Sequence, residues 1–177
     1  PTAKVAATLA ARSDPPGAPM PGVVARTYGK GRVVYLAAGL DSAYYLYAYP
    51  YHRLALRHAI DWAAAAPPPV RVEAPMCVHS TVMRQRKNGE RLVVHLFNNL
   101  NSTGQHALPS DDVPLREEVI PIHDIQVTFQ PSYKLRKVHL EPDGKALPVK
   151  KSAQGYTVTV PRLDVHSMVV AELANGK

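Results

Sequence analysis

Three consecutive prolines, Pro67-Pro68-Pro69, divide the chain into two regions of different periodicity. Each proline lacks an amide hydrogen and restrains the residue before it, so no helix continues through the tract and a stiff extended connector is expected. The last pattern before it is helical, and everything after it alternates. This predicts a first domain over residues 1–66, a proline-rich connector over 67–75 and a second domain over 76–177.

The alternating half reads as short strands. Val78, Ser80, Val82 and Arg84 interleave with His79, Thr81 and Met83. An Asn88-Gly89 turn then leads to residues 91–97, which place Leu92, Val94 and Leu96 on one face. These two strands are expected to pair. A long polar loop over 98–118 crosses to a strand where Ile125, Val127 and Phe129 share a face, and loops of that length are often functional. Further strands over 136–140, 155–160 and 167–173 are separated by Asp143-Gly144 and Pro161-Arg162. Short strands at this spacing indicate an antiparallel β-sandwich.

In the first half, Gly29-Lys30-Gly31 reverses the chain between residues 23–28 and 32–36 as a β-hairpin, because glycine reaches positive φ without a Cβ clash. A strand follows these glycines where a phosphate cradle needs a helix N-terminus, so Lys30 reads as an exposed turn residue and residues 32–36 as a strand inside a sheet. Residues 4–10 suggest a buried strand, and the proline- and glycine-rich residues 13–22 a loop. A helix over 51–66 is predicted to bury Leu54, Ala55, Ala59, Trp62 and Ala63, with Arg53, Arg57 and Asp61 on the opposite side. One helix covers at most one face of a sheet that is apolar on both. The remaining layers are therefore expected upstream of Pro1.

The densest aromatic stretch holds Tyr44, Tyr45, Tyr47, Tyr49 and Tyr51. Such rings either stack on sugars or pack an interface in which each hydroxyl finds a partner. Of the ionisable groups, only Asp41 and His52 stand nearby. Ser42 lacks the flanking glycines of a nucleophile elbow, and Cys77, the single cysteine, excludes an internal disulfide and reads as a structural thiol. His79, His95, His123, His139 and His166 show no metal-ligand spacing. Asp111-Asp112 with Glu117-Glu118 lack the turn glycine of a calcium loop, and Asn101-Ser102-Thr103 fits the glycosylation pattern. No metal or cofactor is expected.

The formal charge is +7, from 21 Lys and Arg against 14 Asp and Glu. The basic residues are scattered along strands and turns without interleaved stacking aromatics, which argues for a solvated sheet face over a nucleic-acid groove. No run is long enough to span a bilayer. The chain begins at Pro1 without an initiator methionine, as a processed chain or a fragment would, and the compartment stays open.

The run Tyr28-Gly29-Lys30-Gly31-Arg32-Val33-Val34-Tyr35-Leu36, the helix ending at Trp62, the crossing from Pro67 to Pro75, and Arg91-Leu92-Val93-Val94-His95-Leu96-Phe97-Asn98-Asn99 together carry a resemblance. In this order they resemble the end of a β-galactosidase trimerisation-type region, in glycoside hydrolases related to glycoside hydrolase family 42. The resemblance implies an α/β plus all-β fold: the C-terminal part of a flavodoxin-like, amidotransferase-like layer followed by a small antiparallel β-sandwich. It also implies a parent enzyme whose catalytic carboxylates lie on an upstream barrel, so no catalytic residue is carried over. Two readings follow. One is a noncatalytic assembly or accessory region that contacts the upstream catalytic domain and further copies of itself. The other is a carbohydrate-binding β-sandwich module.

Overall fold

The computed structural model describes residues 3–10, 15, 17–47, 49–86, 89–101 and 118–174. The chain separates into two compact units, Pro1–Pro67 and Pro68–Lys177.

The first unit is an antiparallel meander carrying two helices. Strand β1 (Lys4–Leu9) pairs with β2 (Met20–Tyr28), which pairs with β3 (Gly31–Leu36), in the order β1-β2-β3. Gly29 and Lys30 form the turn between β2 and β3, where Tyr28 opposes Gly31 and Gly29 has φ 57°. Pro21 is tolerated in the central strand because β3 reaches only to the level of Val23, so one side of β2 is unpaired at Pro21. Helices α1 (Leu40–Leu46) and α2 (Pro50–Ala64) follow. Pro50 suits the first helical position, where no amide donor is needed, and Ala65 ends α2 in the left-handed region just before the prolines.

Alternation assigns Val23, Ala25, Val34 and Leu36 to one sheet face, all half-buried. Arg32 lies on that face and donates from Nη1 to the Trp62 carbonyl at 3.1 Å, with its guanidinium 5.3 Å from the Trp62 ring centre, so α2 covers this side. Val5, Val33 and Tyr35 lie on the other side, where Val33 is 47% and Tyr35 64% exposed.

Several expectations are overturned here. Among the described residues the chain has 53% strand and 16% helix, in three antiparallel sheets with two helices, and no flavodoxin-like α/β layer is present. The physical reason lies in the connections. A parallel layer needs a crossover helix between neighbouring strands, whereas a two-residue turn joins β2 to β3 and forces them antiparallel. Residues 32–36 form an edge strand instead of an interior one, and β1 is exposed throughout. The expected buried stripe of α2 is also not buried: no α2 residue is fully covered, and Trp62 remains 39% exposed.

The second unit contains β4 (Val70–Glu73), β5 (Val78–Gln85), β6 (Arg91–Asn98), β7 (Ile122–Phe129), β8 (Leu135–Glu141), β9 (Lys145–Ala146), β10 (Lys150–Ser152), β11 (Gly155–Leu163) and β12 (His166–Leu173). They form a four-stranded sheet, β10-β11-β7-β4, and a five-stranded sheet, β5-β6-β12-β8-β9. Both are antiparallel. Residues 70–73, expected within the connector, instead pair with β7, Val70 opposite Phe129 and Glu73 opposite Gln126. The core is built by alternate residues of both sheets: Ile125, Val127, Phe129, Val158 and Val160 from the first, Leu92, Val94, Leu96, Val169 and Ala171 from the second. The Asn88 turn position and the acidic residues of the long loop from Asp111 to Glu117 lie outside the described residues, as do Ser102 and Thr103.

One polar residue ties the loops to this core. Asn98, wholly buried, donates from Nδ2 to the carbonyls of Ile120 at 2.9 Å and Asp164 at 2.8 Å, and its Oδ1 accepts from the Leu100 amide at 3.1 Å. Paired in this way, it holds three chain segments at the end of β6 without an unsatisfied buried group.

Two glycines separate backbone strain from steric exclusion. Gly155 has φ 135°, and a Cβ there would lie 2.0 Å from the Phe129 carbonyl oxygen. Gly144 has φ 64° with open space around it. Gly155→Ala is expected to destabilise by about 3 kcal/mol or more, and Gly144→Ala by about 1 kcal/mol. Urea unfolding followed by circular dichroism measures both, and equal effects would contradict this account.

Candidate functional site

The outer face of the five-stranded sheet gathers polar groups that lie far apart in the chain. Pairing sets them in rows. Met83, Val93, Val170 and His139 form one row across β5, β6, β12 and β8. Thr81, His95, Met168 and Glu141 form the row on one side, and Gln85, Arg91, Glu172 and Lys137 the row on the other. A depression of about 490 Å³ lies over these rows, lined among others by Met83, Arg91, His95, His139 and Glu141.

His139 is the anchor of the polar side. It is 9% exposed, and its Nε2 lies 3.2 Å from Glu141 Oε1. Its Nδ1 lies 4.0 Å from Glu172 Oε1, and this buried nitrogen has no hydrogen-bond partner. Glu172 also holds Arg136. Towards β5, Arg91 donates from Nε to Gln85 Oε1, and Arg84 donates from Nε to Glu90 Oε1 at 2.6 Å. His95 Nδ1 and His166 Nε2 stand 3.2 Å apart, with ring centres 5.4 Å apart.

The five histidines singled out in the sequence therefore separate. His79, His95, His139 and His166 share the outer face, whereas His123 lies in the other sheet with Nδ1 3.1 Å from the Pro161 carbonyl. Among the described residues no group of three or more His, Cys, Asp or Glu side chains is placed to hold a metal. Nor is any described helix long and apolar enough to cross a membrane. Cys77 is half-buried in the turn before β5, where its carbonyl accepts from the Asn99 amide at 2.8 Å.

The tyrosines lie in the first unit. Tyr44 and Tyr45 are on α1, Tyr47 and Tyr49 lie between the helices, and Tyr51 is on α2. Tyr47 and Tyr49 stack with ring centres 6.4 Å apart, and Tyr49 meets His52 edge-on at 5.6 Å. Tyr45 instead lines a separate depression of about 420 Å³ with Asp41, Ser42 and Leu46. Tyr51 stands apart at 81% exposure. The five rings do not converge on one pocket.

The outer-face cluster escaped the sequence reading. Its signal was present in the alternation, since Gln85, Arg91, His95, His139 and Glu141 occupy the positions between core residues. That pattern also describes any solvated sheet face, and only the strand order brings β8 within reach of β6.

No protein-family model and no curated protein matches the chain. The fold does have a counterpart. Among solved structures the chain is similar to α-L-fucosidase isoenzyme 2 from Paenibacillus thiaminolyticus, with a TM-score of 0.65 at 21% identity over 88% of this chain. The likeness is one of fold, to a β-rich portion of a glycoside hydrolase. The chain spans 22% of the fucosidase's length. Neither a family 42 relationship nor a trimerisation-type region is shown by this likeness.

The burial of the histidines makes a chemical order of reactivity. Diethyl pyrocarbonate is expected to modify His79, His123 and His166, which are exposed, well before His139. Peptide mass spectrometry over a time course reads the order, and early labelling of His139 would show that the outer face is open to its strand level.

Proposed function

We propose that this chain is a noncatalytic accessory region of a carbohydrate-active enzyme of the glycoside hydrolase type, contacting an upstream catalytic domain or further copies of the enzyme. The family 42 relationship named from the sequence belongs to this proposal. The observation that carries it is the open apolar face of the first unit, where Val5, Val33 and Tyr35 are exposed on a three-stranded sheet. Val5, Val33 and Tyr35 are about half exposed, so covering each contributes about half of the 1.5–3 kcal/mol that full burial of such a side chain gives, and a partner offsets the cost of association by adding further contacts around them. The fold shared with part of an α-L-fucosidase supports the enzyme class. Tyr44, Tyr45, Tyr47, Tyr49 and Tyr51 belong to this reading as contact residues, since each offers a large rigid surface with a hydroxyl for a rim partner.

Light scattering coupled to size-exclusion chromatography tests it. The chain alone is expected to self-associate through the open face, and Val33→Lys with Tyr35→Lys is expected to keep it monomeric without shifting the unfolding of the second unit. A longer parent protein that stays strictly monomeric, with no contact to this face, would sink the assembly reading.

A further inference from the structure

From the second unit alone we infer that the outer face of the five-stranded sheet binds a saccharide chain, in a groove that neither the tyrosines nor the assembly surface forms. The chemistry of the walls selects the ligand. Gln85 uses Oε1 to accept from Arg91, which leaves its amide donors available, and Arg91 has further guanidinium N–H groups beyond Nε. At the other end, Glu141 engages His139 through Oε1 and retains a second carboxylate oxygen as an acceptor. Donors and acceptors therefore stand on the same concave surface.

That combination rejects the simpler ligand classes. A polyanion would meet Glu141, a polycation would meet Arg91, and an apolar ligand would strand every polar group in the wall. Hydroxyl groups both donate and accept, so a polyol satisfies both ends. The floor fits the same class. Met83, Val93 and Val170 lie side by side on three adjacent strands, an apolar strip about 10 Å across that runs from the open Met83, 56% exposed, through the half-buried Val93 to the covered Val170, 5% exposed. A sugar ring presents a C–H face to such a strip and directs its equatorial hydroxyls to the rims. Polar groups placed around an apolar floor are the usual build of a small-molecule site.

Isothermal titration calorimetry of the chain with galactobiose, xylotetraose and fucosyllactose tests the groove. At least one is expected to bind with a dissociation constant at or below about 1 mM, the weak end of measurable affinity. Glu141→Gln and Gln85→Ala, at sites that carry no core packing, are each expected to weaken it at least tenfold while the melting curve stays unchanged. Tyr45→Ala, in the first unit, is expected to leave it as it was. No heat with any of the three sugars, or binding that survives both groove substitutions, would overturn the inference, and so would loss of binding in Tyr45→Ala. Self-association of the first unit is read by light scattering, so failure here leaves the assembly reading to its own measurement.

Discussion

The second unit depends on two sheets turning alternate side chains towards each other. Phe129, Val127 and Ile125 from one sheet meet Leu92, Val94 and Leu96 from the other, and all are fully or almost fully buried. Because the side-chain period of a strand is two, a register slip of one residue would carry a whole apolar set to the wet side. Pairing, core and outer face are thus one constraint. The residues that do not enter the core are held in rows on the outside, and the groove of His139, Glu141, Arg91 and Gln85 is a consequence of that order.

The first unit lacks the matching condition. Its sheet has one face under α2 and one face open, so its apolar residues are shared between a partial core and the solvent. The link between Arg32 and Trp62 shows how much of its packing rests on amphipathic contacts, in which a charged side chain lies along an aromatic ring. A sheet of three strands with a single covered side has few ways to bury more. Its open face is what connects fold to the proposed assembly role.

The pattern of alternation was legible because it is local. Residues 91–97 announce a strand with Leu92, Val94 and Leu96 on one face, and Ile125, Val127 and Phe129 share a face in the same way, while the structure shows that both faces turn inward. The Gly29 turn was legible for a similar reason, since positive φ is a property of one residue. The direction of the first sheet was not. An apolar strand beside a helix suits a parallel layer as well as an antiparallel one, and the flavodoxin-like expectation took the wrong branch. Burial of α2 was misread too, because a helical stripe states which side is apolar without stating whether anything lies against it.

By itself, the sequence determined the elements whose causes lie within a few residues: the turn at Gly29, the end of α2 before the prolines, and the shared apolar faces of β6 and β7. Tertiary structure alone decided which strands became neighbours. The order β5-β6-β12-β8-β9 places His139 on β8 in one row with Val93 on β6, across more than forty residues of chain, and it draws Val70–Glu73 out of the expected connector into the opposite sheet. Hydrogen-bonded pairing between distant strands is set by the shared core they enclose, which no single stretch of sequence contains.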